Sequence, residues 1–318
     1  MLVILLIIFT LIALWYFITD KFYRRSVEKD KHDVATSQQI ARDIAQKKSQ
    51  KVSQKPVCAF CERQPLTEEH LFPDWLRTVI PRKGTPKYGV QFTEIDRVTP
   101  EELVTNEEFR KFQGHMGNKT FKVVCADCNN GWMSQIEEDA KQILTALIVG
   151  EPIVLGAKEQ RILIKWAILK SIIGEYIAKI EDRAIRATER HRFFEQQWPT
   201  AEWKVWIARN NAPGWHFRFL RDGIFTGNKS RQVPVNPLKN TVYSILAVEN
   251  LLVYTAYSSL PNLSDQFVFS GVLEKFMRPL SIGKSRSITW LELPALTNKE
   301  ANQLKDYFPK STFALWAD

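Results

Sequence analysis

No Walker A loop, no G-x-G-x-x-G turn and no serine nucleophile elbow occurs in the chain, and no segment repeats. The usual signatures of phosphate-cradling loops, dinucleotide binding and α/β-hydrolase chemistry are therefore missing. Glycine (13) and proline (15) are too sparse among 318 residues for a collagen-like or Gly/Pro-rich low-complexity chain. Cysteine is scarcer still. There are four, and none lies outside two C-x-x-C pairs, so no scattered disulfide framework can be drawn.

What remains is an ordinary globular composition, 45% hydrophobic and 25% charged, in a length that suggests about two domains. Forty-four Lys and Arg against 35 Asp and Glu give a net charge of +9. That balance favours anionic partners, either nucleic acid or a membrane surface, and does not choose between them.

The pairs read Cys58-Ala-Phe-Cys61 and Cys125-Ala-Asp-Cys128. Two such thiolate pairs can close one tetrahedral Zn²⁺ site. The competing readings are a pair of disulfides and a redox C-x-x-C. Two identical spacings favour one structural zinc, and the long gap over 62–124 means that something is built between the knuckles.

Residues 1–19, MLVILLIIFTLIALWYFIT, carry no charge. About 20 apolar residues span a bilayer core, and Trp15, Tyr16 and Tyr23 fall where amphipathic rings prefer the interface. A cleaved signal peptide fits less well, because there is no basic leader and no small-x-small cleavage site. Lys21, Arg24, Arg25, Lys29 and Lys31 follow the segment and none precedes it. The expectation is a single-pass anchor over 1–25, N-terminus outside, with the remainder cytoplasmic. A reducing cytoplasm also suits zinc-binding thiols. Residues 26–55, polar and rich in Lys, Gln and Ser, read as a juxtamembrane helix or linker.

Glu68-Glu69-His70-Leu71-Phe72-Pro73 follows the first pair, and Asn129-Asn130-Gly131-Trp132-Met133 follows the second. C-x-x-C, then E-H-x-x-P, then C-x-x-C-N-x-G-W-M resembles the HNH endonuclease family, in the subgroup whose ββα-metal motif is braced by a four-cysteine zinc site of treble-clef type. The resemblance covers roughly 57–138. It implies His70 as general base, Glu69 and Asn129 as ligands of a catalytic Mg²⁺ or Mn²⁺, and Cys58, Cys61, Cys125 and Cys128 as ligands of one structural zinc. The residue types suit that chemistry. Phosphodiester hydrolysis needs a base near neutral pH and a cation for the developing charge. The family's middle Asn has no clear counterpart. Thr120 stands near its place, with Asn118 and His115 nearby. Lys119 and Lys122 are candidate phosphate contacts.

The resemblance further implies DNA as substrate, with RNA left open, no small-molecule cofactor, and a bacterial inner-membrane setting. Tethering there would suit action on incoming DNA. The alternative is a non-catalytic, zinc-dependent nucleic-acid-binding module tethered to the membrane.

The insert over 77–113 reads as loop with a short helix over Pro100–Phe112, introduced by Thr99-Pro100-Glu101-Glu102. A helix follows through Ala140–Ile148. Glu159–Ile180 reads as a long core helix, with Ile162, Leu163, Trp166, Leu169, Ile172 and Ile173 at helical spacing and Lys165, Lys170 and Glu175 interrupting any membrane span. Arg183–Gln197 reads as an amphipathic helix. Its basic residues and the tryptophans after it match either a single-strand groove or a packed helix, and packing is preferred. Strands follow over Trp203–Arg209, Trp215–Leu220, Val242–Val248, Leu251–Ser258 and Phe267–Phe269. Thr297-Asn298-Lys299-Glu300 is a capping box opening a last helix. The expected class is α+β, with an N-terminal transmembrane helix (1–25), a linker (26–55), a zinc-braced ββα-metal domain (56–140) and an α+β domain of long helices and antiparallel sheet (141–318).

Overall fold

Cys58 opens a tight loop in which its N–H donates to the Arg63 carbonyl at 3.0 Å and its carbonyl accepts from Glu62 N–H at 3.1 Å. Glu62 closes the loop at φ 61°. From this knuckle the chain enters β1 (Leu66–His70), then a single helical turn, α1 (Leu76–Val79). The computed structural model describes residues 56–80, 87–97, 103–113, 118–178, 180–225, 239–260, 263–281 and 286–314. The anchor over 1–25, the linker over 26–55 and His115 lie outside them. Among the described residues no helix is long and apolar enough to cross a membrane.

The insert is not a loop with a helix. It holds β2 (Lys87–Arg97) and β3 (Leu103–Gln113), paired antiparallel from Lys87↔Gln113 to Arg97↔Leu103. Tyr88, Val90 and Phe92 alternate along one strand and Val104 and Thr105 are β-branched in the other. Such residues favour a pleated partner, and the complete ladder outweighs the local Pro-Glu-Glu helix signal.

β4 (Thr120–Cys125) returns antiparallel to β1, with His70 opposite Thr120 and Glu69 opposite Phe121. A register irregularity between Thr67 and Glu68 shifts the alternation, leaving Glu68 exposed and Glu69 buried. The second knuckle is an α-turn, Ala126–Cys128, followed by a π-turn, Asn129–Met133, where Gly131 departs from helical backbone (φ −94°, ψ −113°). It runs into α2 (Ser134–Val149). Gly150 ends α2 at φ 80°, and a Cβ there would come 3.2 Å from Asn250 Nδ2. That amide donates to the Ile148 carbonyl at 2.8 Å, so a turn distant in sequence caps the helix.

After β5 (Val154–Leu155) comes α3 (Ala157–Gly174), then α4 (Ala187–Gln196). Six further strands follow: β6 (Trp203–Asn210), β7 (Phe217–Ile224), β8 (Thr241–Val248), β9 (Leu251–Ser258), β10 (Arg278–Pro279) and β11 (Ile288–Thr289). The short β12 (Ala295–Leu296) precedes α5 (Asn298–Ala314). The main sheet runs β10-β6-β9-β8-β7 with antiparallel pairing, and β12 joins β6 in parallel. β5 pairs with β11 apart from it. Phe267–Phe269, expected as a strand, is irregular chain with both phenylalanines buried. It packs its rings on the sheet instead of pairing its backbone.

The fold is thus mixed α+β with antiparallel sheets, as expected. Every residue of β8 and β9 is buried because both sheet faces are covered. One face meets α3, and through it α2 and the two cysteine knuckles, in a continuous core that includes Phe60, Leu144, Ile168, Trp203 and Tyr257. The other face carries Trp206, Tyr254, Phe269 and Leu304. Since α3 is enclosed on almost every side, its polar members need internal partners. Ser171 finds them in a closed ring of hydroxyls with Ser244 (2.5 Å) and Thr255 (3.0 Å), whose own separation is 2.8 Å.

Candidate metal centre and the histidine strand beside it

The two knuckles bring Cys58, Cys61, Cys125 and Cys128 together, with all four sulfurs within 4.8 Å of one another. No disulfide links them. Cys61 Sγ lies 3.4 Å from Cys125 Sγ and 3.5 Å from Cys128 Sγ. A Zn–S bond of about 2.3 Å implies sulfur separations of roughly 3.8 Å at the edges of a tetrahedron. The cluster fits a structural ion such as zinc. Burial opposes ionisation of Cys61, yet hydrogen bonds from the Arg63 backbone and side chain bring its thiol down to about 6. Burial pushes Cys128 up. A bound cation would favour the thiolate at every position.

The centre is clasped from outside. Arg190 Nε donates to the Ala59 carbonyl at 3.1 Å, and His191 Nδ1 lies 3.0 Å from the Phe60 carbonyl. Phe60 meets Trp132 edge-on at 4.9 Å, and Trp132 meets Phe193 at 5.9 Å. Arg183 stacks over Tyr176 at 4.1 Å. Arg190 and His191 of the basic run therefore hold α4 on the first knuckle, and Trp203 and Trp206 lie in the core.

His70 ends β1. Its side chain is 31% exposed, with Nε2 4.0 Å from Asp74 Oδ1. Its Nδ1 is enclosed and has no hydrogen-bond partner. Burial, and next the Arg77 guanidinium, lower its pKa below the ordinary imidazole value, so the ring is neutral at pH 7. Asn129 reaches the same strand from the π-turn. Its Nδ2 donates to the Glu68 carbonyl at 2.9 Å and contacts Thr67 Oγ1 at 3.1 Å. Thr120 Oγ1 donates to Glu68 Oε2 at 3.2 Å. In β4, Lys122 is exposed and Lys119 precedes the residue opposite His70, its ammonium 5.3 Å from the Phe121 ring centre.

Glu69 points the other way. Its Oε1 accepts from Lys170 Nζ at 2.7 Å. The same ammonium donates to the His70 carbonyl at 2.8 Å and is ion-paired with Glu137. Lys170 is 1% exposed and the Glu69 side chain 9%. Burial opposes the ammonium's charge, but the two carboxylates outweigh it and raise its pKa. Among the described residues, no second group of His, Cys, Asp or Glu gathers as a metal site beside the four cysteines.

Matched against family models, curated proteins and solved structures, the chain finds no counterpart.

Three side chains around His70 carried no role in the sequence. Lys170 reads only as an interruption of an apolar helix, and the sequence singles out neither Glu137 nor Asp74. A lysine on a helix apolar over most of its girth was the available signal, because a buried ammonium requires anionic partners.

Proposed function

We propose that the chain is a membrane-anchored, zinc-braced HNH-type endonuclease that hydrolyses DNA phosphodiester bonds, with residues 1–25 as anchor and the catalytic part in the bacterial cytoplasm. One observation carries the reading. A partly exposed, neutral histidine ends a strand whose antiparallel partner leads directly into the second zinc knuckle and a helix. Strand, strand, helix and four-cysteine cluster stand in the order that the sequence resemblance requires.

In this mechanism His70 takes a proton from the attacking water as the new P–O bond forms and the bond to the 3′ oxygen breaks, the leaving oxygen taking its proton from solvent. Asp74 Oδ1 lies 4.0 Å from Nε2 and is itself ion-paired with Arg77, so it borders the ring without a close bond to it. Asn129 fixes the backbone of β1 just before the base. The cysteine cluster suits structural zinc, which Cys58, Cys61, Cys125 and Cys128 would hold and which would tie the two knuckles to each other at the end of the β1–β4 pair. Of the residues assigned to a catalytic Mg²⁺ or Mn²⁺, Glu69 does not fit that ion, since Lys170 engages its carboxylate, while Asn129 uses its Nδ2 on the Glu68 carbonyl. No step is routed through it. The engaged Glu69 also favours the second reading, a zinc-braced nucleic-acid-binding module without catalysis.

The deciding experiment incubates the zinc-loaded full chain with supercoiled plasmid and with single strands, with and without Mg²⁺ or Mn²⁺, beside His70→Ala. Nicking that disappears in His70→Ala supports the nuclease. No cutting by folded, zinc-loaded protein, together with salt-sensitive DNA binding, supports the binding module.

A further inference from the structure

Lys170 sits at a junction of three elements. From α3 its ammonium meets Glu69 on β1, Glu137 on α2 and the carbonyl of His70. Two of its donors are hydrogen-bonded, to Glu69 Oε1 and to the His70 carbonyl, and Glu137 is ion-paired beside them. Two carboxylates converging on one buried point, beside the base of the reaction, are the arrangement in which a divalent cation would be expected. Here that point is filled by a side chain. A Mg²⁺ ion bonded to Glu69 Oε1 at about 2.1 Å would overlap an ammonium that lies 2.7 Å from the same oxygen. The lysine cannot simply swing aside, because at 1% exposure it is enclosed by the core between α2, α3 and the sheet.

We propose that Lys170 is the resident cation of this site: its ammonium takes the place between Glu69 and Glu137 that a metal ion would occupy, and keeps the Glu69 carboxylate from binding one. The proposal rests on the nuclease reading only in treating His70 as the base. The Glu69–Lys170–Glu137 cluster then serves to hold the histidine strand, through the His70 carbonyl, against α2 and α3. Lys170 is a positioning residue that touches no substrate.

Mn²⁺ binding tests this directly and needs no substrate. The zinc-loaded full chain is titrated with Mn²⁺ and the bound ion is counted by electron paramagnetic resonance, for wild type, Glu69→Gln, Lys170→Ala and Lys170→Arg. Wild type and Glu69→Gln are expected to bind the same amount of Mn²⁺. Lys170→Ala is expected to gain about one Mn²⁺ per chain, lost again when Glu69→Gln is added, because two carboxylates are left facing an open position. Lys170→Arg, which keeps a cation there, is expected to gain none. A Mn²⁺ site in wild type that Glu69→Gln removes would overturn the proposal. So would a folded, zinc-loaded Lys170→Ala that gains no site. Should Lys170→Ala lose its zinc and unfold, the comparison of wild type with Glu69→Gln decides alone. If the chain fails to cut any nucleic acid, the nuclease reading falls while the Mn²⁺ count still decides the assignment of Lys170.

Discussion

Lys170 Nζ lies 2.7 Å from Glu69 Oε1, a bond across 101 residues that fastens the C-terminal part of α3 to the end of β1. Lys170 is almost wholly enclosed, so the ammonium and its carboxylates must satisfy one another. Removing the ammonium strands charge in the core. Lys170→Met should therefore destabilise the protein by about 3–5 kcal/mol. Adding Glu69→Gln should recover much of that loss. Denaturant unfolding of the two single variants and the double variant measures the coupling, and simple additivity would show that the pair is not a unit.

Zinc should be stoichiometric and structural. Metal analysis of the purified chain is expected to give about one zinc, and Cys128→Ser to abolish it. Binding of structural zinc is worth about 10 kcal/mol or more in small zinc peptides, comparable to the whole stability of a domain. Chelation should therefore release the knuckles and expose Trp132, read as a change in tryptophan fluorescence. A fully folded, zinc-free chain with an unchanged melting temperature would refute the assignment.

His70→Ala is expected to lower the rate of DNA cleavage by about 10²–10⁴-fold, the usual contribution of a general base. Its fold should remain, because the ring is part exposed and makes no close hydrogen bond. The pH dependence has a defined sign. Burial and Arg77 lower the folded-state pKa, so the acid limb of kcat/KM should have its midpoint below the ordinary imidazole value near 6.5. The same shift makes the unfolded chain bind more protons between the two pKa values. This contribution to stability is complete above the unfolded value and is lost as the pH falls through the folded one. An acid limb above 6.5 would assign the base to another group.

Gly174 closes α3 against the sheet. A Cβ added there would lie 2.2 Å from Phe219 Cζ, and that ring is buried. Gly174→Ala should cost about 1–3 kcal/mol as an overpacked core position. Phe219→Leu in the same chain should relieve part of the cost. Thermal unfolding of the three variants checks both points.

Local pattern was enough for the elements whose stability is local. The α3 periodicity, the β8–β9 hairpin across Glu249 and Asn250, and the Thr297 capping box could all be read from the chain. In the structure Thr297 Oγ1 accepts from Lys299 N at 3.2 Å, and the Glu300 carboxylate accepts from Thr297 N at 2.9 Å. The β2–β3 hairpin was not legible. Its strands gain their ladder only from each other, and a helix start signal lay between them.

The amino-acid order by itself determined that four thiols come in two equal pairs, that a histidine follows a glutamate on the strand after the first, and that an apolar helix carries two lysines, Lys165 and Lys170, within its apolar run. These depend on spacing and residue type alone. Only the tertiary structure decided which way Glu69 faces and what it meets. The irregularity at Thr67 and Glu68 turns that carboxylate inward, and the packing of α3 against α2 brings Lys170 and Glu137 to it. Burial and pairing of charge are properties of three elements meeting at once, and no single segment encodes them.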